Sequence, residues 1–61
     1  MNGKQVIKSL QKEGWKILRS QGNHYRLGKN SLRATVPVHG NKGLGKGLLA
    51  AIERQTGVKL S

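Results

Sequence analysis

The apolar positions of this chain change period along its length, and the changes mark out its elements. Between Gly3 and Glu13, Val6, Ile7 and Leu10 gather on one side of a helical wheel, while Lys4, Lys8 and Lys12 recur every fourth residue on another. That spacing predicts an amphipathic helix over 3–13. Asn2 can cap its start, and Gly14 can end it by taking a left-handed conformation just past the last turn. Three strand-like segments follow, at 15–20, 23–29 and 32–38. The first is rich in aromatic and branched or aliphatic residues, and the other two alternate as half-buried strands do. In the third, Leu32, Ala34, Val36 and Val38 mark one face, and Arg33, Thr35 and Pro37 the other. Pro37 has no N–H to give a ladder, so it suits a strand end or a sheet edge. After a Gly-rich loop at 39–47, Leu44, Leu48, Leu49 and Ile52 predict a second helix from about 44 or 45 to 55. Arg54 favours its C-terminal end, and Gly57 is its stop.

The order is therefore α-β-β-β-α. Two consecutive hairpins make the sheet antiparallel, and both helices can cover one of its sides. The expectation is an α+β fold: a three-stranded antiparallel sheet with two helices on one face. With Lys29-Asn30 as a two-residue turn, Leu27 faces Leu32, Tyr25 faces Ala34, Arg26 faces Arg33 and His24 faces Thr35. A one-residue slip would mix buried and exposed faces. For the first hairpin, a three-residue loop Ser20-Gln21-Gly22 with Gly22 left-handed puts Trp15 and Ile17 on the buried side and Lys16 on the exposed one. Leu18 lands on the exposed side too, the one apolar residue that does not fit.

Composition narrows the chemistry. The 61 residues carry 12 Lys and Arg against 2 acids, Glu13 and Glu53, for a formal net charge of +10. One domain spanning 1–61 is all this length accommodates. Cysteine and aspartate are absent, so disulfides, thiolate-zinc sites and a cysteine nucleophile are ruled out. Two separate glutamates cannot hold a two-metal phosphodiester centre or act as a glycosidase pair. No metal site and no cofactor are expected. No apolar run approaches the ~18 residues of a membrane span, and the polar N-terminus does not read as a secretory signal. A soluble cytoplasmic protein with no membrane partner is the expectation.

At +10, self-repulsion calls for a polyanionic partner, nucleic acid or an acidic protein. Arg26 opposite Arg33 sharpens this, because like charges across a strand pair are unfavourable and a phosphate between them relieves the conflict. Trp15 and Tyr25, the only aromatics, are both needed for the core, which argues against a base-stacking platform. Residues 40–47 come close to a phosphate-binding nucleotide loop, but Gly47 replaces the hydroxyl that would hold magnesium. Without an aspartate and on an antiparallel sheet, nucleotide hydrolysis is not expected. The loop can still receive a backbone phosphate through its N–H groups and Lys42 or Lys46, or serve as a plain linker.

The remaining chemistry lies in His24 and His39. Imidazole is the usual acid/base near neutrality. Without metals, RNA can be cut by its own 2′-hydroxyl if a base removes that proton, cations offset the phosphorane charge and an acid protonates the leaving 5′-oxygen. His24 stands on the exposed basic face beside Arg26. Sequence spacing leaves open whether His39 is a second acid/base or a loop residue.

Several of these residues resemble a known family, the HicA toxins. Gly22-Asn23-His24 follows a Gly14-Trp15 that closes an amphipathic helix. Thr35-Val36-Pro37-Val38-His39-Gly40 precedes a Lys/Gly/Leu loop, and Ala51 to Gly57 resembles the family's helix end. The likeness runs over 3–58. It implies a double-stranded-RNA-binding-domain-like fold and a ribosome-independent mRNA interferase of a bacterial type II toxin–antitoxin system, which the scarcity of acids makes a metal-independent one. It also implies His24 as the catalytic residue and a HicB-like antitoxin covering the active face, with oligomers formed only through that antitoxin. Tyr25 stands where the family often has a second histidine, and Gly45-Lys46-Gly47-Leu48 lacks the family's usual threonine. On this reading Lys16, Arg26, Arg33, Lys42 and Lys46 grip RNA phosphates. A non-catalytic RNA-binding module on the same fold, or a basic subunit meeting only an acidic protein, are the alternatives.

Overall fold

The computed structural model describes residues 1–60. Helix α1 spans Gly3–Lys12, strands β1, β2 and β3 span Lys16–Gln21, His24–Lys29 and Leu32–Pro37, and helix α2 spans Lys46–Thr56. The sheet is antiparallel in the order β1-β2-β3, so the α+β architecture matches the expectation.

Local chemistry sets the limits of α1. The Asn2 side chain accepts from the Gln5 N–H at 3.0 Å, and Gln5 Oε1 accepts from the Asn2 N–H at 2.9 Å. This reciprocal capping box satisfies two N–H groups that a helix start otherwise leaves open. At the other end Gly14 takes φ 95°. Its N–H donates to the Gln11 carbonyl at 3.1 Å, and the Trp15 N–H donates to the Leu10 carbonyl at 3.0 Å. These two bonds form a Schellman motif, and they turn Trp15 into the core.

That core comprises Val6, Ile7 and Leu10 from α1, Trp15, Leu27 from β2, Ala34 and Val36 from β3, Val38 just beyond it, and Ile52 from α2. Tyr25, Leu44, Leu49, Val58 and Leu60 pack around it. Helix residues and the inner row of β2 and β3 share this one cluster, so both helices lie on one face of the sheet and the other face is open. Trp15 is buried with its indole N–H unpartnered among the described residues.

The tightest glycine in the fold is Gly3, where a β-carbon would overlap the Pro37 carbonyl oxygen and press on Val38. Both obstacles include backbone. Gly3→Ala is therefore expected to cost roughly 1–3 kcal/mol, measured as a lower urea midpoint. An unchanged midpoint would mean that α1 shifts freely along β3.

Several sequence expectations are corrected. The β2–β3 turn is Asn30-Ser31, so Leu27 pairs with Ala34, Tyr25 with Val36, Arg26 with Thr35 and His24 with Pro37. The register lies two residues from the expected one. The cause is Asn30, which takes φ 55° as the first residue of the turn rather than the second; turns that match strand twist demand a positive φ there. The β1–β2 turn is likewise two residues, Gly22-Asn23, with Gly22 at φ 59° and Gln21 paired with His24. A bulge at Leu18 then carries the register from Ile17↔Leu27 to Arg19↔Arg26. Ile17, Leu32 and Leu48, expected in the core, are 42%, 47% and 39% exposed. Every residue of β1 is exposed, because the helices pack toward β3 and leave that edge uncovered. In α2 the buried positions are Ile52 and Thr56; Leu48 lies on the same face one turn earlier, in the helix's first turn, and is exposed there.

Candidate functional site

On β2, alternation sends Tyr25 and Leu27 inward and His24, Arg26 and Gly28 outward. Their partners on the open face are Gln21, Arg19 and Lys16 on β1 and Pro37, Thr35 and Arg33 on β3. Arg19 belongs to this face only because of the bulge. One extra residue in β1 reverses the side on which everything after Leu18 emerges, so Arg19 joins the outward set and lies directly across from Arg26.

Arg19, Gln21, His24, Arg26 and Thr35 line one open depression, with no carboxylate among them. Arg26 Nη1 donates to Thr35 Oγ1 at 3.3 Å, which holds the guanidinium over the middle of the sheet. Two opposed guanidiniums on adjacent strands are unfavourable on their own. They become favourable when an anion lies between them, since charge-assisted bonds to phosphate are among the strongest available. A histidine at the rim of such a site can exchange protons with whatever the arginines hold.

The cations named from sequence do not all gather here. His24 and Arg26 line the depression. Arg33 lies two positions before Thr35 on the same face of β3, opposite Gly28, and its Nη1 donates to the carbonyls of Asn30 and Leu32 at 2.9 and 2.7 Å. A β-carbon on Gly28 would meet both the Arg33 guanidinium and Leu18, so glycine leaves room for Arg33 to fold back. Lys16 is Gly28's partner on the other side. Lys42 lies in the loop before α2, and Lys46 begins that helix and lines a separate depression with Leu49, Ala50 and Glu53. Neither lysine joins His24.

The Gly-rich loop is pinned at its ends. The Lys42 N–H donates to the His39 carbonyl at 3.0 Å, the Leu44 N–H donates to the Met1 carbonyl at 2.8 Å, and Gly43 bridges to Asn2. Gly45 caps α2 without a side-chain hydrogen bond. His39 sits at the loop's start, with Nδ1 3.3 Å from Nδ2 of Asn23.

Sequence reasoning passed over Arg19, Gln21, Thr35 and Asn23 as site residues. Arg19 had a signal: the misfit of Leu18 on the polar face marks the bulge that turns it outward. Among the described residues no three or more His, Cys, Asp or Glu side chains come together, and no helix is long and apolar enough to cross a membrane.

No curated protein and no solved structure matches the chain. The family described as the HicA toxin of bacterial toxin–antitoxin systems matches residues 3–58. That stretch holds both helices, the whole sheet and every residue of the depression. The chain belongs to the HicA toxins and is the toxin of a toxin–antitoxin pair.

Proposed function

We propose that the chain is a metal-independent endoribonuclease that cuts mRNA through the RNA's own 2′-hydroxyl, and that a HicB-like antitoxin neutralises it. One observation carries the reading: His24 borders an open depression that Arg19 and Arg26 flank from adjacent strands and that no carboxylate enters.

The chemistry follows from that arrangement. A phosphodiester between the guanidiniums has its charge offset as the 2′-oxygen adds to phosphorus and the phosphorane forms. His24, in its neutral form, removes the 2′-hydroxyl proton, which frees that oxygen to attack. The bond to the 5′-oxygen breaks, leaving a 2′,3′-cyclic phosphate and a 5′-hydroxyl end. Lys16 and Arg33, farther along the same face, suit neighbouring phosphates. Lys42 and Lys46 do not line the depression itself. RNA is selected because DNA lacks the attacking hydroxyl. The antitoxin silences the enzyme by covering the same basic face, and its own acidic groups offset the charge that the two glutamates leave uncompensated.

A matched pair of substrates tests this. Incubation with RNA in excess EDTA is expected to yield cyclic-phosphate ends at the rate seen without chelator, and the all-deoxy strand of the same sequence is expected to stay intact. Activity that EDTA abolishes, or cutting of the deoxy strand, overturns the 2′-hydroxyl scheme. Salt-sensitive RNA binding with no cutting at all would instead identify a non-catalytic RNA-binding module.

A further inference from the structure

In-line cleavage moves two protons, one off the 2′-hydroxyl and one onto the departing 5′-oxygen, and His24 accounts for only the first. The structure brings a second imidazole to the same end of the sheet. The Val38 N–H donates to the Asn23 carbonyl at 2.6 Å, extending the β2–β3 ladder past the His24–Pro37 pair. Val38 turns into the core at 8% exposure, so alternation sends His39 out on the side of Pro37 and His24. His39 lies two residues past the Pro37 that pairs with His24, just beyond the end of β3; continuing the strand geometry to it gives the diagonal relation to His24, a separation of about 7–8 Å. That spacing lets two imidazoles address opposite sides of one phosphodiester.

We propose that His39 is the general acid of the cleavage and that Asn23 is its positioning residue; the proposal rests on the ribonuclease reading above. The backbone of His39 is held by the Lys42 N–H on its carbonyl at 3.0 Å. Its ring is held by Asn23, with Nδ2 3.3 Å from Nδ1. A primary amide serves both protonation states of the ring. It gives its N–H to a bare Nδ1, or, turned end for end, it offers Oδ1 to an Nδ1–H. Either way Nε2 is the nitrogen left to exchange a proton with substrate. As the 2′-oxygen forms its bond to phosphorus and the bond to the 5′-oxygen breaks, Nε2–H of the imidazolium delivers its proton to the 5′-oxygen. The cycle leaves His24 protonated and His39 neutral, and solvent resets both.

Leaving-group chemistry separates an acid from a structural residue. An oligoribonucleotide whose single scissile linkage carries sulfur in place of the bridging 5′-oxygen expels a thiolate, which needs no proton to depart. On the all-oxygen linkage His39→Ala is expected to slow cleavage by about 10²–10³-fold, and on the thio linkage to cut at close to the wild-type rate. Asn23→Ala is expected to show a smaller loss with the same recovery, and His24→Ala to be slow on both. His39→Ala as fast as wild type on the oxygen linkage overturns the proposal, and so does a loss of equal size on both linkages. A wild-type protein that cuts neither substrate removes the ribonuclease reading and this proposal with it, whereas the two preceding outcomes remove this proposal alone.

Discussion

Replacing His24 with alanine is expected to slow RNA cleavage by about 10²–10⁴-fold while leaving fold and RNA affinity in place. The separation of effects follows from where the residue sits. His24 begins β2, its backbone pairs with Gln21 and Pro37, and its exposed side chain contributes nothing to the buried cluster. Alanine keeps the backbone and leaves the core packing intact, so thermal unfolding should be nearly unchanged. Arg19 and Arg26 remain, so fluorescence anisotropy with a labelled RNA should give a similar Kd. Single-turnover cleavage is the quantity that falls. Undiminished cleavage by His24→Ala refutes the assignment. Equal losses of cleavage and affinity would show that His24 grips substrate rather than moving its proton.

The face that bears His24 was legible in the sequence, and the partners around it were less so. Alternation identifies which residues of β2 and β3 point outward, but it has a period of two. It therefore cannot distinguish the true register from one two residues away. Only the turn separates those registers, and the choice depends on whether Asn30 is first or second in it. The expected pair of Arg26 with Arg33 was the consequence. Like charges do oppose each other on adjacent strands, but Arg26 meets Arg19, which the Leu18 bulge turns to the same face. Sequence periodicity read straight through the bulge, left Leu18 as an unexplained misfit on the exposed face and did not bring Arg19 into the site. Burial of Ile17 and Leu32 failed for another reason. Alternation assigns a residue to the inner face, but whether a helix covers that point depends on how the helices cross the sheet. The helix limits were read well because their signals are local: Asn2, Gly14 and Gly57 each act within a few residues of themselves.

The Arg19–Arg26 pair sets binding against stability, and substitution there should move the two in opposite directions. Arg19→Gln is expected to weaken RNA binding about tenfold, and Arg19→Gln with Arg26→Gln to weaken it further. Each substitution should also flatten the salt dependence of binding by about one unit of log K per log salt, as follows when one phosphate is no longer neutralised. Free protein should meanwhile melt no lower than wild type, and slightly higher at low salt, because a like-charge cross-strand pair has been removed. High salt should erase that gain, since both groups are exposed and screened. Arg33→Gln serves as the contrast. Its guanidinium is already engaged by the Asn30 and Leu32 carbonyls, so its loss should weaken RNA binding less and lower the melting temperature. An unchanged salt slope in Arg19→Gln would show that this arginine does not meet a phosphate. A lower melting temperature in the same variant would show that the opposed guanidiniums are not in conflict in the free toxin. The two readouts answer separately, so the grip on RNA and the strain of holding it ready can each fail alone.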